Sequence, residues 1–326
     1  MIGLILEGGG MRAGFVAGAL MALMDKGLTG FSLAAAVSAS VPTLAYFASG
    51  QREEMERVWR FELSTPSLVC YRNIPAASLA LSAEKPVIDI DYLVYRVFKE
   101  RYPVNTHALL ETRMFYCFAV TRVPEGRLAF LSPGEFDIYE IFRAAMAVPG
   151  GYPRTVCLDG CEYVDGGAVN PFPAGYFLNK GVNRVMAILS TPLNYRHDIP
   201  SLFERTLFHR YFQRNKWMLQ RLREAARDCN EQIGMLRQMA REKPPRALIL
   251  YPDEMPPARF ITRDQRKINR TIDMGYRKVQ ELEDQIRDFL QEDTPGNRVI
   301  GEAGVSGVSM EIPLSRTRTK CFCTEP

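Results

Sequence analysis

The chain carries three histidines in 326 residues, at 107, 197 and 209. Imidazole chemistry, whether a His-rich metal centre or a relayed proton, therefore has few places to sit. No uninterrupted apolar stretch reaches the roughly 18 residues a membrane-spanning helix needs. The cysteines number seven, scattered at 70, 117, 157, 161, 229, 321 and 323. That odd count without an export signal argues against a disulfide framework. Cys321 and Cys323 form a C-x-C pair with no second pair to complete a metal site. Free thiols filling core space are expected, and no metal or other cofactor. Charge is nearly balanced, with 41 Lys and Arg against 37 Asp and Glu, which does not call for nucleic acid as a partner. The apolar run from Met1 to Leu6 has no basic residues ahead of it and is too short for an export signal. The expectation is a cytoplasmic protein, with at most peripheral contact to a membrane surface.

What is present is a hydrophobic fraction of 47%, enough to bury a large core in one domain or two small ones. Ile2 to Leu6 and Leu33 to Val37 read as short buried strands, each leading into a helix, Met11 to Lys26 and Ser38 to Ser49. A further helix is expected over Glu53 to Glu62. Met114 to Val123 and Arg127 to Leu131 flank Pro124-Glu125-Gly126, a hairpin pattern. Thr155 to Leu158 and Cys161 to Val164 flank Asp159-Gly160, a second one. Asp137 to Ala147 and Ala174 to Lys180 read as helices, Arg184 to Leu189 and Ala247 to Tyr251 as strands. Asp264 to Gln291 reads as one long charged helix. Strands alternating with helices predict an α/β fold with a central, mostly parallel sheet flanked by helices in three layers, and reactive residues at the carboxyl ends of the strands.

Three features bear on chemistry. Gly8-Gly9-Gly10 turns from a strand into a helix, so its backbone N–H groups point outward beside the positive end of the helix dipole and suit an anion. Ser38 stands on a sharp strand-to-helix turn in Ala36-Val37-Ser38-Ala39-Ser40, where a serine is held at the top of a sheet. Asp165 ends a strand and is followed by Gly166 and Gly167, which let a carboxylate approach another element closely enough to take a hydroxyl proton. Each segment has a plainer reading: a helix cap for Ser38, a simple turn for Asp-Gly-Gly. Gly8, Gly10 and Ala13 also satisfy the G-x-G-x-x-G/A pattern of a dinucleotide site. That reading wants an acidic residue at the end of the second strand, and no carboxylate lies between Asp25 and Glu53.

In order and spacing these motifs resemble the patatin-like phospholipases. That family carries Gly-Gly-Gly-x-Arg-Gly near the N-terminus, then Gly-x-Ser-x-Gly, then Asp-Gly-Gly or Asp-Gly-Ala. The stretch Arg143-Ala-Ala-Met-Ala-Val-Pro-Gly150 resembles the family's approach to its aspartate, and the likeness covers about Ile2 to Ser190. The resemblance implies a patatin-like acyl hydrolase domain over residues 1–290, with a helical extension from about 196 and a loose tail over 291–326. It implies Ser38 as nucleophile, Asp165 as base, an oxyanion hole from the backbone of Gly8, Gly9 and Gly10, and Arg12 bracing that loop. It also implies a lipid or other acyl-ester substrate, phospholipid or lysophospholipid by class. Ala13, Ala36 and Ser40 stand where the family has glycine, which keeps a non-catalytic, lipid-binding or interaction role open as an alternative.

His197 and His209 follow Asp165 in the chain order of a Ser-Asp-His triad, yet both lie among arginines, where a surface role is expected. Arg196 to Arg246 holds twelve Arg and Lys against six Asp and Glu. Phe203, Leu207, Tyr211, Phe212, Met218, Leu219 and Leu222 recur there near helical spacing. The expectation is a helix packed on the core with a solvated basic face; docking on anionic lipid is the alternative.

Overall fold

The central strands alternate strictly between two buried faces. Leu4 and Leu6 of β1 (Ile2–Leu6) join one core and Ile5 the other; Met186 and Ile188 of the later strand β7 (Arg184–Ile188) face Leu4 and Leu6, while Val185 and Ala187 face Ile5. A strand apolar at every position is what a sheet covered by helices on both faces requires. The structure, a computed structural model, describes residues 1–75, 85–178, 181–198, 208, 211–212 and 215–291. The tail expected over 291–326 lies, beyond Gln291, outside the described residues, as do His209, Phe203 and Leu207.

From β1 the chain passes through the glycine turn into α1 (Gly14–Asp25), then β2 (Leu33–Val37), α2 (Ser40–Ala48) and α3 (Arg52–Arg57). Two wide π-helical stretches follow, Val58–Glu62 and Tyr92–Arg101. Next come α4 (Thr106–Glu111), β3 (Phe115–Arg122), β4 (Arg127–Leu131) and α5 (Ile138–Met146). The hairpin β5 (Val156–Leu158) and β6 (Cys161–Asp165) leads to α6 (Ala174–Leu178) and β7. Beyond β7 lie α7 (Lys216–Met239), β8 (Ala247–Leu250), α8 (Gln265–Glu281) and α9 (Glu283–Gln291).

The strands form one sheet in the order β5-β6-β3-β2-β1-β7-β8, with β4 also paired to β3. β3, β2, β1, β7 and β8 are mutually parallel, whereas β4, β6 and β5 are antiparallel additions at one side. This is the α/β architecture expected, a mostly parallel sheet with helices on both faces. α1, α2, α5 and α8 cover one face, and α6 and α7 the other. The chain after residue 196 is built into this frame: β8 extends the sheet, and α8 lies along α1. There the two helix backbones touch. A Cβ on Gly18 would fall 1.9 Å from the Ile272 carbonyl oxygen, and one on Gly275 1.9 Å from that of Phe15, so no larger residue fits at either position.

Three details depart from expectation. The single helix over Asp264 to Gln291 is two, broken at Leu282 (φ −108, ψ 14). The Tyr92–Arg101 segment and α4 lie in a stretch where no element was anticipated. Cys157 is disulfide-bonded, whereas Cys70, Cys117, Cys161 and Cys229 are the free thiols anticipated. The basic stretch follows its plainer reading: Met218, Leu219 and Leu222 of α7 are buried against Val123, Val164 and Val169, and Arg221 pairs with Glu224 and Asp228. Among the described residues no helix is long and apolar enough to cross a membrane.

Candidate active site

The register of β3 brings the ends of two other strands together. β2 and β4 both pair with Phe118 and Ala119, so they occupy opposite edges of β3. β4 and β6 both pair with Val120, Thr121 and Arg122, so β6 takes the edge that β2 has vacated. Val37 ends β2 opposite Ala119, and Asp165 ends β6 opposite Val120. The two strands therefore meet head-on, and the residue after Val37 faces Asp165.

That residue is Ser38, with φ 57, a left-handed conformation rare for a residue with a side chain. Such backbone costs about 1–3 kcal/mol and persists only where neighbours enforce it. Its Oγ donates a 2.5 Å hydrogen bond to Asp165 Oδ2. The other carboxylate oxygen, Oδ1, accepts the Gly167 N–H at 2.7 Å. The Asp165 backbone is held too: its N–H donates to the Ala147 carbonyl, in the Arg143 to Gly150 stretch, and its carbonyl accepts the Thr121 hydroxyl. Burial pushes the Asp165 carboxyl up to about 6, against the pull of its bonds from Ser38 and Gly167. A carboxylate poised there can exchange a proton with a bound hydroxyl near neutral pH.

The glycine turn closes over this pair. A Cβ on Gly8 would lie 2.9 Å from Ser38 Cβ and 3.1 Å from the Val37 carbonyl oxygen, so only glycine allows the approach. The N–H groups of Met11 and Arg12 donate to the carbonyls of Phe260 and Gly9. Among the described residues no hydrogen bond engages the N–H of Gly9, Gly10 or Ala39. Gly9 and Gly10 both have positive φ, 155 and 57, and Arg12 follows them in the same turn. Its Nε lies buried beside Gly9 with no hydrogen-bond partner among the described residues.

The two elbow positions that lack glycine are accommodated. Ala36 is fully buried within β2, and Ser40 donates a 2.7 Å hydrogen bond to the Glu7 carbonyl. The extra hydroxyl thus ties the start of α2 to the end of β1. No histidine among the described residues bonds to Ser38 or Asp165. His197 instead stands 3.2 Å from Glu7, and His107 pairs with Glu111 on α4.

Ser38 opens onto an apolar cleft whose walls include Val58, Trp59, Leu93, Phe98, Met146 and Phe260. Its buried polar groups satisfy one another: Trp59 Nε1 donates to Thr43 Oγ1, which donates to the Ala39 carbonyl. Both π-helical stretches supply wall residues, a use of this geometry recurrent at functional sites. Sequence reasoning missed this cleft, because its lining comes from six separate segments. The one local signal was the run of apolar and aromatic residues from Tyr92 to Phe98, broken only by Arg96.

Fold and site together define an α/β protein with a serine and a carboxylate joined at the carboxyl edge of its parallel strands. The sequence model of the patatin-like phospholipase family matches residues 4–178, over half of the chain, and the protein belongs to that family. The uncharacterized protein YjjU of Escherichia coli (strain K12) is 27% identical over 208 residues, which are 63% of this chain and 56% of that protein. The match thus spans little more than half of that relative. The crystal structure of VipD from Legionella pneumophila superposes with a TM-score of 0.47 at 12% identity, over 87% of this chain and 66% of that one.

Proposed function

We propose that the protein hydrolyses lipid acyl esters, with Ser38 as nucleophile and Asp165 as its only base. The observation that carries this is the 2.5 Å hydrogen bond between Ser38 Oγ and Asp165 Oδ2 at the mouth of an apolar cleft. The cleft receives the acyl chain and sets its carbonyl carbon against Ser38 Oγ. As the oxygen attacks, its proton passes to Asp165. The N–H groups of Gly9, Gly10 and Ala39 are free to receive the oxyanion. Collapse breaks the ester bond, and Asp165 returns the proton to the departing alkoxide. Water then attacks the acyl-Ser38 ester, giving its proton to Asp165, and release of the fatty acid restores the hydroxyl. Membership of the patatin-like phospholipase family favours phospholipid or lysophospholipid among the esters. A cytoplasmic site of action, with peripheral attachment to membranes, belongs to the same reading.

A fluorophosphonate probe with mass spectrometry tests it. One adduct is expected, on Ser38, absent from Ser38→Ala. Folded wild-type protein that neither reacts with the probe nor cleaves short p-nitrophenyl esters would overturn the proposal in favour of a lipid-binding role.

A further inference from the structure

Directly behind the glycine turn, three side chains from distant parts of the chain converge. Glu7 follows β1, His197 lies in the loop after β7, and Cys229 lies on α7. One ligand-capable atom of each, a carboxylate oxygen, a ring nitrogen and a thiol sulfur, lies within 4.8 Å of the other two. Glu7 and Cys229 are fully buried, and the His197 ring is 15% exposed.

The geometry of the Glu7–His197 contact is not that of a simple hydrogen bond. Glu7 Oε1 stands 3.2 Å from His197 Nε2, yet that buried nitrogen has no hydrogen-bond partner among the described residues. The ring nitrogen is therefore not spent on a hydrogen bond to the carboxylate. Two ligands about 2.0–2.1 Å from a tetrahedral zinc ion stand about 3.3 Å apart, the spacing this pair has. Cys229 Sγ lies within 4.8 Å of both atoms and would be drawn closer by a bound ion.

The surroundings are arranged as supports for such ligands. Glu7 Oε2 accepts the Ser190 N–H at 2.5 Å, and the Ser190 hydroxyl, whose shorter bond at 2.7 Å goes to the Gly8 carbonyl, stands at 3.0 Å, with Thr191 Oγ1 at 3.4 Å. That fixes the carboxylate for one-oxygen coordination. Asn230, next to Cys229, grips the backbone of His197 twice: its Oδ1 accepts the His197 N–H, and its Nδ2 donates to the His197 carbonyl, both at 3.0 Å. The loop is thereby pinned with its ring near the Cys229 thiol.

We propose that Glu7, His197 and Cys229 bind one divalent ion of the zinc class, as a structural clasp behind the Gly8–Gly10 turn. A thiolate excludes the hard cations magnesium and calcium, and the mixed oxygen, nitrogen and sulfur set suits zinc or cobalt. Binding displaces the thiol proton. The carboxylate and thiolate then balance the ion's two charges, and water completes the tetrahedron. The clasp would join β1, the loop after β7 and α7.

The test is a titration of the full chain, stripped with chelator, with cobalt(II). One equivalent should produce tetrahedral d–d bands with a thiolate-to-cobalt charge-transfer band, and equimolar zinc should erase both. Cys229→Ser should lose the charge-transfer band, and His197→Gln should lose stoichiometric binding, with circular dichroism confirming that each is folded. The His197 ring sits near solvent, so that variant remains informative if the buried thiol cannot be replaced. Replacing Cys321 and Cys323 by serine should leave the spectrum unchanged. Absence of a tetrahedral spectrum in wild-type protein overturns the proposal. So does a spectrum that survives His197→Gln, or one that depends on Cys321 and Cys323.

Discussion

Ser38 and Asp165 meet because Val37 and Asp165 pair with adjacent residues of β3, Ala119 and Val120. The hydrogen bond between them is a product of sheet register, so it should act as one unit. Ser38→Ala and Asp165→Asn are each expected to lower kcat on a short-chain ester by about a thousandfold or more, and the double variant to be little worse than either. Steady-state kinetics on the three proteins measure this. Losses that multiply in the double variant would mean that the two residues act separately.

The buried carboxyl of Asp165, raised to about 6, has consequences of opposite sign for rate and stability. A base must be ionised, so kcat/KM should rise with pH, pass half its maximum near about 6 and level off above it. The fold, by contrast, prefers the protonated form. Since the folded value lies above the unfolded one, this group's stabilising share is complete below the ordinary value of 3.8 and is lost as pH rises through about 6. At pH 8 the loss is on the order of 3 kcal/mol. Asp165→Asn should therefore melt higher than wild type at pH 8 while being inactive, and the difference should vanish at pH 4. Thermal melts at the two values decide it, and a variant less stable at pH 8 contradicts the account.

How much of this was legible in the sequence follows from the range over which each feature is encoded. β1 and β2 are short apolar runs, closed by Glu7 ahead of the glycines and by Ser38, and their bounds were readable to the residue. Ser38, Asp165 and the glycine turn were readable because a sharp turn restricts which side chains fit beside it. The break at Leu282 was not, since α8 and α9 share one continuous helical pattern and the interruption is a backbone rotation at a residue that suits helix. His197 and Cys229 looked like a surface histidine and a core thiol because their neighbours in sequence are arginines and helix residues. Only the packing of α7 beneath β1 brings them to Glu7. Residues 190 and 191, which hold Glu7, did carry a signal: they follow the end of β7, at the edge of the sheet where such sites gather.

Ser40 tests whether the elbow needs its usual glycine. Its hydroxyl bonds the Glu7 carbonyl at 2.7 Å in a fully buried setting. Ser40→Gly restores the family pattern but leaves that carbonyl without its donor and adds backbone freedom at the start of α2. A loss of about 1–3 kcal/mol is expected, with no gain in kcat. Denaturant unfolding beside ester kinetics measures both, and a faster variant of unchanged stability would show that Ser40 is a compromise.

Gly8 should tolerate nothing larger. The methyl of Gly8→Ala would press on Ser38 Cβ at 2.9 Å and on the Val37 carbonyl at 3.1 Å. Neither neighbour is a flexible side-chain end, so the strained turn at Ser38 must shift. Displacement of a nucleophile by about 1 Å costs about a hundredfold in rate, while overpacking costs about 1–3 kcal/mol of stability. The expected pattern is a folded protein that labels slowly with a fluorophosphonate. Normal labelling would place the real constraint on the turn elsewhere.

The cleft makes the last prediction, about chain length. Each methylene buried against Trp59, Leu93 and Phe98 contributes about 0.8 kcal/mol, or a factor of three to four in kcat/KM. The rise should continue until the apolar space is filled and then stop. Leu93→Trp adds bulk to that wall without touching Ser38 or the glycine turn. It should move the optimum to shorter esters, leaving the rate on an acetyl ester and the labelling by a small fluorophosphonate unchanged. A series of p-nitrophenyl esters from two to sixteen carbons on both proteins reads this directly. If Leu93→Trp depresses all chain lengths equally, the acyl group lies outside this cleft, and the apolar space beside Ser38 serves packing rather than substrate.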